Sequence, residues 1–89
     1  MYIEFDPAKN AANIRDRGLP FELAKAFEFE TATYREDTRR DYGEKRIRSI
    51  GYLARRLHVL VFVETLEGIR VISFRKANKR EVKQYEQET

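Results

Sequence analysis

The chain has 89 residues and a net charge of +3; 42% of the residues are hydrophobic, 37% are charged and none is cysteine. This composition supports one small hydrophobic core, and it excludes a disordered chain, a disulfide framework and a thiolate metal site. No apolar run is long enough to cross a membrane and the N-terminus lacks a secretory signal pattern, so we expect one cytoplasmic domain over residues 1–89 without membrane contact.

The first third of the chain predicts a strand and two helices. Tyr2–Phe5 alternates as a short strand, and Asp6-Pro7 has the residue types of a helix N-cap and first turn. Gly18 is typical of the position just after a helix, and Pro20 favours the start of a second, short amphipathic helix. The first helix is expected to pack on a sheet through Ala8, Ala11, Ala12 and Ile14. The second helix is expected to pack through Phe21, Leu23, Ala24 and Phe27.

Four further strands are predicted in the rest of the chain. They are Thr31–Arg35, Lys45–Leu53, Leu57–Glu64 and Ile69–Arg75. The third of these is apolar on both faces, which is typical of a central strand. In the second, Ile50 and Tyr52 break the alternation, and this favours a bulge near Gly51.

A last helix completes the predicted fold. Asn78 is followed three residues later by Glu81, a spacing that indicates an N-cap with a capping box. The predicted fold class is therefore α+β, in the order β-α-α-β-β-β-β-α. It consists of a mainly antiparallel sheet, two N-terminal helices packed on it and a C-terminal helix.

Metal and cofactor chemistry has little support in the sequence. With one histidine, no cysteine and four glycines, the chain offers neither a plausible ligand set nor a glycine-rich phosphate loop. We therefore expect no metal and no cofactor. His58 lies in the most apolar predicted strand, where a sheet-face histidine with a satisfied hydrogen bond is more common than a catalytic base.

Positive charge is concentrated in the second part of the chain. Residues 1–38 carry 5 basic and 8 acidic side chains, a balance of −3, whereas residues 39–89 carry 13 basic and 7 acidic side chains, a balance of +6. Phosphates are the commonest partners of such a region, although basic residues on the outer faces of strands would give the same balance.

The remaining candidates for chemistry are arginine, lysine, tyrosine and carboxylate side chains. They are Arg39, Arg40, Glu44, Arg46, Arg48, Arg70, Arg75, Lys76, Arg80, Glu81 and Tyr85. Such a set suits RNA cleavage in which the ribose 2′-OH attacks the neighbouring phosphate, because arginine holds two phosphate oxygens and stays charged. The alternative is a basic nucleic-acid- or partner-binding surface without chemistry, which composition alone favours.

Two segments resemble the BrnT-type toxins at fixed positions. FDPAKNAANIRDRGLPFELA resembles the opening of that family: aromatic-Asp-Pro-x-Lys, then Asn, a glycine after the helix, and Phe-Glu-x-Ala. RVISFRKANKREVKQYE resembles its closing motif, Arg-x-Ile-Ser-x-Arg-x-Ala followed by Glu and Tyr-Glu. The resemblance covers essentially the full chain, with GEKRIRSIGYL in the same order between the two motifs.

This resemblance implies a RelE-like fold and a type II toxin–antitoxin system. The chain would be a metal-independent endoribonuclease that inhibits translation by cleaving RNA, including ribosome-bound mRNA. A BrnA-like ribbon-helix-helix antitoxin would neutralise it, and the hetero-oligomer would bind operator DNA.

The closing motif provides the candidate site residues. Arg75 is the first candidate for phosphate contact, followed by Arg80 and Lys76. Tyr85 is expected either to transfer a proton or to pack its ring under the sheet, and Glu81 either to act as a general base or only to cap its helix. The predicted RNA-binding residues are Lys76, Lys79, Arg46, Arg48, Arg39 and Arg40.

One segment departs from the family pattern. Many relatives have Lys-His-Gly before the second helix, whereas this chain has Asp16-Arg17-Gly18. If that histidine has a catalytic role in relatives, either this chain has lost that role or Arg17 replaces only the positive charge.

Overall fold

A five-stranded sheet with helices on both faces organises the chain, and a computed structural model describes all of residues 1–89. The strands are β1 (Tyr2–Phe5), β2 (Thr33–Glu36), β3 (Ile47–Leu53), β4 (Arg56–Glu64) and β5 (Gly68–Lys76). The α-helices are α1 (Pro7–Arg17) and α2 (Lys79–Glu88), and 3₁₀ helices occupy Phe21–Ala26 and Phe29–Thr31. No helix of the protein is long and apolar enough to span a membrane.

The strand order is β1-β5-β4-β3-β2. β1 pairs with β5 in parallel and every other neighbouring pair is antiparallel. The α+β class and the mainly antiparallel sheet are therefore confirmed. β4 lies at the centre, as its apolar sequence predicted.

Alternation along β4 creates two cores, one on each face of the sheet. Leu60 and Phe62 belong to a cluster of 11 buried residues under the N-terminal helices. Val59 and Val61 belong to a cluster of 6 buried residues that includes Tyr85 of α2. Each face of the sheet therefore has its own hydrophobic core, and successive side chains along a strand point alternately into one core and the other.

The predicted helix ends are confirmed. The Asp6 carboxylate accepts a hydrogen bond from the backbone N–H of Ala8 at 2.8 Å, as an N-cap does. Gly18 follows α1 with φ 63°, a left-handed conformation that glycine adopts without strain.

The predicted packing face of α1 is wrong. Ala8, Ala11 and Ile14 are exposed, and the side chain that α1 buries is Asn13. The amide of Asn13 donates to the carbonyl oxygens of Leu19 and Phe74, each at 2.9 Å. Helix α1 is therefore attached to the sheet by hydrogen bonds at this point, which a pattern of apolar residues does not indicate.

The second predicted helix is a 3₁₀ helix. Its buried side chains are Phe21, Ala24 and, just after its end, Phe27, whereas Leu23 is exposed. A spacing of three residues matches the three residues per turn of a 3₁₀ helix, in which such side chains lie on one face. The period of burial, and not only the length, therefore distinguishes this segment from an α-helix.

Two strands begin two residues later than predicted, β2 at Thr33 and β3 at Ile47. Before β2, the second 3₁₀ helix places the partly buried Phe29 against the core, where its ring lies edge-on to Phe62 with centroids 6.1 Å apart. Thr31 therefore belongs to this packed turn, whereas Tyr34, the aromatic residue of the predicted strand, lies in β2.

The predicted bulge near Gly51 is wrong. Pairing between β3 and β4 is regular from Ile47 to Leu53, and the shift in register lies between β4 and β5 at Val61 and Phe62. Gly51 has a different role, because a Cβ there would lie 2.7 Å from the Phe27 ring.

The alternation of β3 is in fact unbroken. Ile50 and Tyr52 share a face with Arg48, and this face changes from charged to apolar where α2 covers it. The connection from β3 to β4 is a tight turn whose residues Ala54 and Arg55 both have positive φ, 50° and 68°.

Candidate functional site

The start of α2 places a carboxylate beside the end of β5. The side chain of Asn78 accepts a hydrogen bond from the N–H of Glu81, and the carboxylate of Glu81 accepts one from the N–H of Asn78, both at 2.9 Å. This is the predicted capping box. It holds Glu81 in a buried position, with 5% of the residue exposed.

Two arginines from different strands converge on Glu81. Arg75 donates from both terminal nitrogens to its two carboxylate oxygens, each at 2.8 Å, and Arg48 donates to Oε2 at 2.6 Å. Hydrogen bonds from Arg75, together with those from Asn78 and Arg48, lower the pKa of Glu81 from 4.5 to about 2 despite its burial. Glu81 is therefore ionised at neutral pH and holds two guanidinium groups side by side.

The sheet surface beside this cluster contains a cavity lined by Arg39, Arg46, Arg48 and Arg75, which we call the basic groove. Its apolar lining is formed by Val59, Val61 and Ile72. Arg39 and Arg46 come from the loop that leads into β3, Arg48 comes from β3 itself, and Arg75 comes from β5, which joins them only in the folded chain. The structure thus brings together four of the residues predicted to contact RNA or to act on it.

The loop before β3 is held in place by a buried carboxylate. Asp37 accepts hydrogen bonds from two nitrogens of Arg39, each at 2.8 Å, and from the Tyr42 hydroxyl at 3.2 Å. The hydrogen bonds from Arg39 hold the pKa of Asp37 well below its usual range. Asp37 and Tyr42 were not among the predicted site residues, and only the density of polar and charged residues in this loop pointed to them.

A third carboxylate positions the remaining arginine of the groove. Glu44 accepts a hydrogen bond from Arg46 at 2.9 Å and another from Arg70. The guanidinium carbon of Arg46 also lies 4.1 Å from the centroid of the Tyr42 ring, a cation–π contact. Hydrogen bonds from Arg46 and then Arg70 lower the pKa of Glu44.

The groove and its rim have an excess of positive charge. The four arginines of the groove, and Arg70 beside it, are paired with the three carboxylates Asp37, Glu44 and Glu81, which leaves an excess of two positive charges. The side chains of Arg48 and Arg75 remain 23% and 33% exposed, so part of each guanidinium is open to a ligand. Ordered, partly desolvated arginines of this kind suit the recognition of phosphate oxygens.

The other predicted site residues lie outside the groove. Lys76, Lys79, Arg80 and Arg40 are exposed and form no ion pair. Tyr85 is 7% exposed and donates its hydroxyl to the Thr31 carbonyl oxygen at 3.0 Å, with its ring edge-on to Tyr52. Of the two roles expected for Tyr85, the observed geometry is that of a packing residue. No group of three or more histidine or carboxylate side chains is arranged to hold a metal ion.

Comparison with known proteins assigns the chain to a family. Residues 5–81 match the model of a family described as "Ribonuclease toxin, BrnT, of type II toxin-antitoxin system". No curated protein and no solved structure showed significant similarity to the chain. A type II system implies an antitoxin partner, and a ribonuclease implies an RNA substrate. Because the match spans most of the 89 residues, the chain belongs to the BrnT family of ribonuclease toxins.

Proposed function

We propose that this chain is a metal-independent endoribonuclease of RelE-like type, which cleaves RNA by attack of a ribose 2′-OH on the adjacent phosphate. The bond from the 2′-oxygen to phosphorus forms as the bond from phosphorus to the 5′-oxygen breaks, which gives a 2′,3′-cyclic phosphate and a 5′-hydroxyl. Solvent water takes the proton of the 2′-OH and supplies the proton of the leaving 5′-oxygen. The observation that carries the proposal is the placement of Arg75 and Arg48 on one buried carboxylate, Glu81, in a groove with excess positive charge. DNA lacks the 2′-OH and would not be cleaved by this route.

Arg75 has the central role in the proposed reaction. As the 2′-oxygen attacks, negative charge grows on the phosphate oxygens, and donors that are already oriented stabilise that charge most strongly. Each guanidinium has five N–H donors, so Arg75 retains donors for phosphate after binding Glu81. Arg48 would share this task. Arg39 and Arg46 would hold neighbouring phosphates, and Arg40, Lys76, Lys79 and Arg80 would add contacts outside the groove.

Glu81 and Tyr85 are better explained as positioning and packing residues than as proton-transfer groups. A carboxylate with a pKa of about 2 that accepts four hydrogen bonds is a weak base. The Tyr85 hydroxyl would have to leave the Thr31 carbonyl to reach a substrate. Glu81 therefore acts through the two arginines that it orients.

The family also supports a proposal for the biological setting. We expect residues 1–89 to act as one toxin domain in the cytoplasm, where cleavage inhibits translation. A BrnA-like ribbon-helix-helix antitoxin would neutralise the toxin in a hetero-oligomer that binds operator DNA. Membership of a type II toxin family supports the antitoxin partner, and the resemblance in sequence supports its type.

A second candidate function is a basic binding module without chemistry. The observation that favours it is that the three carboxylates of the groove and its rim, Asp37, Glu44 and Glu81, are all paired with arginines. No carboxylate there is free to accept the proton of the 2′-OH. Such a module would bind RNA with a steep dependence on salt and would release no products.

Incubation with RNA in buffer containing a metal chelator tests both candidates. We expect products that end in a 2′,3′-cyclic phosphate, and a rate at least about 100-fold lower for Arg75→Ala, the usual scale for one transition-state donor. Arg15→Ala is a matched control, since Arg15 is an exposed arginine on α1, paired only with Asp16. Thermal unfolding would establish that both variants are folded.

Two results would contradict the proposal in different ways. A wild-type rate for folded Arg75→Ala would remove Arg75 from the reaction. Salt-dependent RNA binding without any cyclic-phosphate product would favour the binding module.

A further inference from the structure

A second cavity lies on the opposite face of the sheet from the basic groove. We refer to it as the α1–β5 cleft, because it lies where the end of α1 meets the end of β5. Its lining residues are Arg17, Gly18, Leu19, His58, Arg75 and Lys76. Three of them are cationic and none is a carboxylate, and since Arg75 is paired with Glu81, the uncompensated positive charge of the cleft comes from Arg17 and Lys76.

The two cations of this cleft that do not also line the basic groove, Arg17 and Lys76, form no ion pair with a carboxylate of the chain. Arg17 donates to the side-chain oxygen of Asn13 at 2.8 Å, and the amide of Asn13 is anchored to the carbonyl of Phe74 at 2.9 Å. A neutral partner therefore holds the guanidinium over the end of β5 and leaves its charge uncompensated. This differs from the basic groove, in which every arginine is paired with a carboxylate.

The carboxyl end of α1 also borders the cleft and would disfavour an anion. The helix dipole there amounts to roughly half a negative charge. Arg15 and Arg17 lie in the last turn of α1 and compensate for it. Together with Lys76, Arg17 brings two full positive charges to the cleft, so attraction of an anion prevails.

His58 adds a hydrogen-bond acceptor to the cleft. Its Nδ1 lies 2.7 Å from the carbonyl oxygen of Arg56, so Nδ1 carries the proton and Nε2 has the free lone pair. Nε2 has no hydrogen-bond partner in the chain. It can be reached from solvent, because every fully buried side-chain nitrogen and oxygen of the protein does have a partner. Burial, followed by the charges of Arg56 and Lys76, lowers the pKa of His58, so the ring is neutral at pH 7.

We propose that the α1–β5 cleft is a nucleotide subsite for the RNA strand. Arg17 and Lys76 bind one phosphate, and Nε2 of His58 accepts a hydrogen bond from an N–H of the base of the same nucleotide. The choice of RNA as the ligand rests on the proposed function. Lys76 and Arg75 are consecutive residues of β5 that point to opposite faces, so one strand reaches both sites by passing over the end of β5.

Because His58 is the single histidine of the chain, its imidazole signals in a nuclear magnetic resonance spectrum need no assignment. The probe is a 2′-O-methyl RNA hexanucleotide, which cannot be cleaved by 2′-oxygen attack. We expect the Nε2 resonance to move at saturation. We also expect Arg17→Gln to weaken binding about 3- to 10-fold at about 0.1 M salt and to reduce the salt slope of log K by about 0.7.

Arg15→Gln is the matched control, because it removes the same charge from the same turn of α1 at a position outside the cleft. An Nε2 resonance that stays in place at saturation would overturn the subsite, as would equal effects of Arg17→Gln and Arg15→Gln. A moving resonance without cyclic-phosphate products from unmodified RNA would leave the subsite standing and remove the nuclease proposal. Cleavage of unmodified RNA together with an unmoved Nε2 resonance would remove the subsite and leave the nuclease proposal standing.

Discussion

Arg75 at the end of β5 and Glu81 in the first turn of α2 form a bidentate ion pair, with both nitrogen–oxygen distances 2.8 Å. The same carboxylate caps the helix and binds Arg48, so one buried side chain links the last helix to two strands. Arg75 therefore has a fixed orientation in the absence of any ligand. The groove is arranged before RNA arrives, which reduces the entropy that binding would otherwise cost.

Replacing Glu81 by Gln separates its positioning role from a role as a base. The amide keeps the size of the side chain but leaves Arg75 and Arg48 without a counter-ion, so we expect the free energy of unfolding to fall by about 1–3 kcal/mol. Because the two guanidiniums then repel each other, we expect kcat to fall by about 10-fold, with the shape of the pH–rate profile unchanged.

The exposed Glu86 of the same helix supplies the control variant, Glu86→Gln. A pH–rate profile that changes shape in a folded Glu81→Gln protein would instead point to Glu81 as the base.

Acid stability depends on the same carboxylate. The pKa of Glu81 is about 2 in the folded chain and 4.5 when the group is free, so its stabilising contribution is complete above about pH 4.5 and is lost as the pH falls towards 2. We expect Tm of the wild type to fall more steeply over this range than Tm of Glu81→Gln. Thermal unfolding of both proteins from pH 7 to pH 3 measures the difference, and parallel curves would contradict it.

Gly51 is predicted to tolerate no side chain. A Cβ at this position would lie 2.7 Å from Phe27 and 2.8 Å from the Cβ of Ala32, closer than atoms can pack. We expect Gly51→Ala to lower the free energy of unfolding by about 1–3 kcal/mol. Since the clash is mainly with the Phe27 ring, Gly51→Ala should lower the free energy of unfolding by less in a Phe27→Leu background than in the wild type. Denaturant unfolding of the wild type, the two single variants and the double variant gives a double-mutant cycle. Additive changes in the free energy of unfolding would argue against the contact.

The turn between β3 and β4 offers a substitution that increases stability. Arg55 has φ 68° and Ala54 has φ 50°, both in the left-handed region that is unfavourable for residues with a Cβ. Glycine at the second position of such a hairpin turn relieves this strain. We expect Arg55→Gly to raise the free energy of unfolding by about 0.5–1 kcal/mol, measured by denaturant unfolding. Arg35→Gly, in the exposed strand β2, should be destabilising and serves as the contrast.

Local features of the fold were determined by the sequence itself. The caps at Asp6, Gly18 and Asn78 depend on residues within a few positions of each helix end, and the central position of β4 follows from its apolar run. The two motifs that resemble the BrnT family are likewise continuous segments. These features were predictable because their physical causes lie close together in the chain.

Only the tertiary structure decided which charged groups meet. Arg48 reaches Glu81 across 33 positions, and Asn13 reaches the Phe74 carbonyl across 61. Such contacts depend on strand order and register, about which the spacing of apolar residues carries little information. The sequence could therefore indicate that Arg75 and Glu81 are important, but only the fold shows that they bind each other and that Arg17 and His58 line one cavity on the opposite face of the sheet.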